Sequence, residues 1–218
     1  GADKTQFLDF RNQQIPGIQG PDAMVAILWQ DLINYLESEQ AGVYTYYDEV
    51  ASIFIVEWSA IRVYQDLGES IEVQIILYDA DVYPTSSGDG EIKLQYKTAT
   101  HAGGDHTDNQ FSTVGIKNLD GTDGLEYVYW DQYPAANKPL EDGMAIPITT
   151  DRFSTFGSIE GSITREEDHE AGIEGAVVKA LRSGIDTVTD ENGNYAFESI
   201  LTGRERIRVT KAGFNELI

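Results

Sequence analysis

The sequence predicts an all-β protein made of two β-sandwich-type domains. Three observations carry that prediction. Short alternating runs of apolar and polar residues recur from residue 42 onward. Clusters of Gly, Asp, Asn and Ser punctuate them at fairly even spacing. The runs are rich in β-branched and aromatic side chains, with 12 Tyr, 8 Phe and 3 Trp in 218 residues. Such side chains fit a pleated, half-buried sheet, and evenly spaced short strands between turn clusters mark a sandwich or barrel.

Residues 1–21 lack periodicity and end in Ile15-Pro-Gly-Ile-Gln-Gly-Pro21, which reads as an N-terminal arm or linker. A first domain is expected over 22–150. Its opening, 22–39, suits two readings: a short helix capped by Asp22, or a buried strand ending at Trp29. Strands are expected at Val43–Tyr47, Ala51–Trp58, Ile71–Tyr78, Glu91–Tyr96, Thr113–Lys117, Leu125–Tyr129 and Ala145–Thr149. Alternation places Ile71, Val73, Ile75 and Leu77 on one face of the third, and Ile92, Leu94 and Tyr96 on one face of the fourth. Residues 151–156 read as a junction, and 157–218 as a second, smaller sandwich. In the latter, two alternating runs flank Asp190-Glu-Asn-Gly-Asn194, residues that tolerate positive φ and suit a hairpin reversal.

Composition narrows the function classes. The formal charge is −22. Residues 1–150 carry 7 Lys+Arg against 24 Asp+Glu, whereas 151–218 carry 8 against 13. Such a field repels nucleic acid and anionic lipid. Cysteine is absent, which removes disulfides, thiolate metal sites and a Cys nucleophile together. No apolar run reaches the ~20 residues of a helical membrane span. The start, Gly-Ala-Asp-Lys, is not a charged-then-apolar leader, so the chain is expected to be cytosolic, already processed or an excised piece.

Residues able to carry chemistry are few. His101, Asp105, His106 and Asp108 gather in a Gly-rich loop, and His169 sits in an acidic run; both read first as solvated loops. Glu57 lies between apolar residues, but alternation sends it to the face opposite Val56 and Trp58. The chain has no G-x-S-x-G elbow, H-E-x-x-H pair or P-loop. Calcium is the better metal case: Asp120 and Asp123 in Asp120-Gly-Thr-Asp-Gly124 supply hard oxygen donors, although a tight turn explains the same residues. No other cofactor is expected. Tyr127, Tyr129, Trp130 and Tyr133 offer a platform for a glycan or a partner protein, set against plain core packing. Phe7, Leu8 and Phe10, weakly alternating in the N-terminal arm, are candidates for a strand exchanged between chains.

Gly157–Phe214 resembles the carboxypeptidase regulatory-like family, a transthyretin-like sandwich. The residues that carry the resemblance are Gly175-Ala-Val-Val178, the run Thr187–Phe197 around the Asp-Glu-Asn-Gly-Asn turn, and Gly213-Phe214. Residues 25–150 look, more loosely, like nidogen-like extracellular modules of secreted bacterial proteins. Here the match rests on Leu28-Trp-Gln-Asp-Leu32, Gly42-Val-Tyr-Thr-Tyr-Tyr47, Phe54-Ile-Val-Glu-Trp58, Val73-Gln-Ile-Ile-Leu77 and Glu91-Ile-Lys-Leu-Gln-Tyr96. These resemblances imply a non-catalytic structural or adhesive module, secreted or on a cell surface and bacterial, acting in protein recognition or extracellular assembly. The alternatives are an accessory region of a secreted bacterial peptidase and a carbohydrate-binding module. In the regulatory-like family a strand normally follows the Gly-aromatic pair, so this sandwich is expected to lack its last strand. A parent chain, a partner protein or a second copy would complete it by strand addition.

Overall fold

The structure, a computed structural model, describes residues 11–34, 41–64, 66–99, 111–151, 156–167 and 171–218, with only the backbone for 66–69. Among the described residues fourteen strands follow in order: β1 Met24–Trp29, β2 Leu32–Ile33, β3 Gly42–Asp48, β4 Ile53–Val63, β5 Asp66–Tyr78, β6 Ile92–Thr98, β7 Thr113–Lys117, β8 Gly124–Tyr129, β9 Met144–Ile148, β10 Phe156–Ser162, β11 Val177–Ala180, β12 Ile185–Val188, β13 Asn194–Leu201 and β14 Ile207–Thr210. The protein is all-β, and the described residues contain no helix. The apolar run before Trp29 is therefore a strand and not the short helix also compatible with 22–39. Its physical reason is pairing: Met24, Val25 and Ala26 lie opposite Lys117, Ile116 and Gly115 of β7, so the backbone bonds across the sheet.

Two compact units emerge, each assembled from segments distant in sequence. The first comprises Gly1–Tyr46, Phe54–Leu77 and Ile92–Ile148; the second, Tyr47–Ile53, Tyr78–Glu91 and Thr149–Ile218.

In the first unit a three-stranded sheet, β1-β7-β8, accompanies a six-stranded sheet ordered β2-β4-β5-β6-β9, with β3 also paired to β4. The core draws Ile27, Leu28, Val114 and Val128 from the small sheet and Ile61, Ile71, Val73, Ile75, Leu94 and Tyr96 from the large one. Two antiparallel sheets with their apolar faces joined in one core make a sandwich. Tyr96 crosses that core, its hydroxyl donating to the Ile27 carbonyl at 2.8 Å. The expected alternation holds through Ile75 and then breaks: Leu77 is exposed, while Ile76 and Tyr78 are buried. Glu57 accepts a hydrogen bond from Gln74 Nε2 of the neighbouring strand at 2.6 Å. Residues 11–21 are the described part of the stretch read as an arm or linker, and their 15–17 segment is bonded to the small sheet. Ile15 is buried, its amide donates to Glu126 Oε2 at 2.7 Å, and Lys117 Nζ donates to the Gly17 carbonyl at 2.9 Å.

The second unit pairs β10 with β13 in one sheet and orders β12-β11-β14 in another. Its core joins Ala176, Val178, Ala180 and Val209 to Phe197 and Ile200. The reversal at Asp190–Asn194 is a tight turn, with Gly193 N donating to Asp190 O at 2.9 Å. It is not a hairpin, because β12 and β13 belong to different sheets. Thr189 explains the divergence. It is buried, its Oγ accepts from Ala176 N at 2.8 Å and donates to Ile173 O at 2.6 Å. These bonds hold the end of β12 to the start of β11, and the chain then crosses to the other layer. Past Phe214 the chain returns along β14, where Val209 and Leu217 exchange two backbone hydrogen bonds of 2.8 and 3.2 Å.

Candidate functional site

The site of greatest chemical interest lies in the first unit, where β8 ends. Tyr129 and Gln132 close a two-residue turn through Gln132 N to Tyr129 O at 2.9 Å and Tyr129 N to Gln132 O at 3.2 Å. Its central residues, Trp130 and Asp131, have φ of 49° and 57°. That is the type I′ geometry, which favours Asn-Gly because both positions are left-handed. A tryptophan there carries steric strain and is directed outward: Trp130 is 48 % exposed. Phe111 braces it in an edge-on contact, with ring centroids 5.0 Å apart at 90°. Tyr129 lies alongside at 6.1 Å.

Beneath these rings runs an open cleft of about 850 Å³. Tyr64 lines it as well, and Arg11, Asn12, Gln30 and Asp31 are among its polar lining residues. The connection between β1 and β2 positions this set, since Tyr64 N donates to the Asp31 carbonyl at 2.7 Å. Asn12 Nδ2 donates to Thr113 Oγ at 3.0 Å, and Thr113 Oγ donates to the Gln13 carbonyl at 3.0 Å. Gln30 Nε2 is buried and has no hydrogen-bond partner among the described residues.

The four aromatic residues singled out in the sequence fall into two pairs. Tyr127 and Tyr133 pack against the core, edge to face at 6.2 Å. The Tyr127 hydroxyl donates to the Lys138 carbonyl at 2.7 Å, and that of Tyr133 accepts from Leu140 N at 3.3 Å. Burial raises both phenol pKa values. Tyr129 and Trp130 instead line the cleft. Tyr64, Gln30 and Asp31 carry no sequence motif that points to a site. The available signal was Trp130-Asp131 in a turn position suited to Asn-Gly.

Asp120 and Asp123 serve their own turn. Asp120 Oδ1 accepts from Thr122 N at 3.1 Å and from Thr122 Oγ at 2.6 Å. Those bonds, the side-chain one foremost, hold its carboxyl below the usual range. Asp123 Oδ1 accepts from Gly124 N at 2.8 Å. Among the described residues no three His, Asp or Glu side chains group closely enough to hold a metal. The loop around His101 and His106, His169, and the arm residues Phe7, Leu8 and Phe10 lie outside the described residues.

A second surface stands apart in chemistry. Val43, Tyr44 and Tyr46 of β3 are exposed by 56, 48 and 62 %, and Thr45 between them is exposed as well. Successive side chains point to opposite faces, so both faces of this strand meet solvent. No helix of the described residues is long and apolar enough to cross a membrane. No family model matches the chain, nor does any curated protein or solved structure. What defines the molecule is therefore its own architecture: an all-β protein of packed antiparallel sheets.

Proposed function

We propose that this protein is a non-catalytic recognition module of a secreted or cell-surface protein, binding a partner protein at strand β3. The observation that carries this reading is the run Val43-Tyr-Thr-Tyr46, exposed on both faces. Apolar and aromatic side chains left in water along an edge strand favour pairing with another chain. Its backbone supplies affinity by strand addition, and the tyrosines supply contact area. Charge selects the occupant. At −22 the chain repels a second copy of itself and attracts an extended segment bearing Lys and Arg. The resemblances to regulatory-like and nidogen-like modules support an extracellular setting.

Selection from a random dodecapeptide display library tests it. Enriched peptides are expected to be basic and alternating, and to bind at least tenfold more weakly to the Tyr44→Ser/Tyr46→Ser variant. Enriched peptides indifferent to that variant would overturn the reading.

A further inference from the structure

The cleft under Trp130 supports a second, independent recognition chemistry. We propose that it binds a neutral oligosaccharide. Sugar rings would stack on Trp130 and Tyr64, and Gln30 and Asp31 would take their hydroxyls. The volume of about 850 Å³ lies within the span of small-ligand sites. A sugar ring has an apolar C–H face and a polar rim. The lining has the matching halves: the rings of Tyr64, Tyr129 and Trp130, and the polar residues Asn12, Gln30 and Asp31.

Three further observations favour this occupant. Trp130 is held in a left-handed turn position that Asn or Gly fills with less strain. Strain of that kind at an exposed aromatic is what a binding function retains. Phe111 fixes the indole, so little rotamer freedom remains to be lost on binding. Gln30, a lining residue, carries a buried amide donor without a partner among the described residues, which a ligand hydroxyl would satisfy. The net charge of −22 disfavours an anionic sugar, although Arg11 is also among the lining residues. Asn12, Gln30 and Asp31 in the lining disfavour a purely apolar ligand.

Calorimetric titration of the whole protein with cellohexaose, xylohexaose and chitohexaose tests the proposal, with hexagalacturonate as the anionic control. Saturable binding to at least one neutral sugar is expected, with a shift in tryptophan emission, and none to hexagalacturonate. Trp130→Asn suits the left-handed turn and so keeps the fold; it should weaken binding at least tenfold, as should Gln30→Ala. Absence of binding to all three neutral sugars at millimolar concentration overturns the proposal. So does binding that survives Trp130→Asn. Tyr44→Ser/Tyr46→Ser should leave sugar binding intact, so this site and the β3 surface stand or fall separately.

Discussion

Arg182 grips Glu91 with two parallel hydrogen bonds, Nε to Oε2 and Nη2 to Oε1, each 2.5 Å. Both side chains are 9 % exposed, and both residues belong to the second unit. Around them Tyr78 donates its hydroxyl to the Arg182 carbonyl at 2.9 Å, and Glu205 Oε1 accepts from Arg182 N at 2.7 Å. A planar guanidinium meeting a carboxylate in this forked way is the strong form of an ion pair. The pair joins the loop before β6 to the turn after β11, residues 91 positions apart. Its sequence separation is the reason no local pattern announced it.

Breaking that pair from one side leaves a buried charge without its counterpart. Glu91→Ala is expected to cost ~3–5 kcal/mol. The double variant Glu91→Leu/Arg182→Met should cost less than either single change, because no charge is stranded. Urea unfolding of the wild type, Glu91→Leu, Arg182→Met and the double variant at neutral pH measures the cycle; additive losses would show that the two residues are not coupled.

Alkali should unfold the protein through its buried phenols. Burial raises the pKa of Tyr78, Tyr83 and Tyr96 above the ordinary phenol value of about 10. The folded state therefore keeps the proton longer than the unfolded chain. Stability from these groups is complete below about pH 10 and is lost as pH rises through the folded pKa values. Melting temperature is expected to hold from pH 7 to 9 and fall above 10. Tyr96→Phe loses the bond to Ile27, worth ~1 kcal/mol at neutral pH, and flattens the alkaline fall. A melting curve that ignores pH up to 12 would contradict this.

The turn at Trp130 predicts an ordering of variants. Asparagine relieves the left-handed strain, whereas alanine retains about 1 kcal/mol of it. Both lose the edge contact with Phe111, worth ~0.5–1.5 kcal/mol. Trp130→Asn should thus be more stable than Trp130→Ala by ~1 kcal/mol. Thermal melts of the two variants check it, and equal stability would argue that the turn is unstrained.

Gly193 and Gly184 separate conformation from crowding. Their φ angles are nearly the same, 77° and 75°. A Cβ at Gly193 would stand 2.4 Å from the Ile163 carbonyl oxygen, whereas one at Gly184 meets nothing within 4 Å. Gly184→Ala is expected to cost only the backbone strain, ~1 kcal/mol. Gly193→Ala must also push the backbone of another segment aside and should cost at least ~2 kcal/mol. Chemical denaturation of the two variants decides it.

These residues show how much of the molecule was legible in the chain. Period-two patterning placed most strands within a residue or two, because Ile71, Val73 and Ile75 or Leu94 and Tyr96 record one buried face. It did not say which strands share a sheet. Asp190–Asn194 reads as a hairpin locally, yet the tertiary bonds of Thr189 send β13 to the other layer. The cleft was half visible: Tyr129 and Trp130 stood out, but Tyr64, Gln30 and Asp31 become neighbours only through the pairing of β2 with the end of β4. Tyr127 and Tyr133 pack against the core; period two alone would give Tyr127 the face of Tyr129, but the register shifts between their partners, leaving Tyr127 as an extra residue of β8.

Hydrogen exchange followed by mass spectrometry, with and without a basic peptide selected on the protein, locates the binding surface on the backbone. Recognition by strand addition at β3 predicts slowed exchange of the backbone amides of Gly42–Tyr46 on binding. Protection confined to other segments, with β3 amides exchanging as in the free protein, would contradict it.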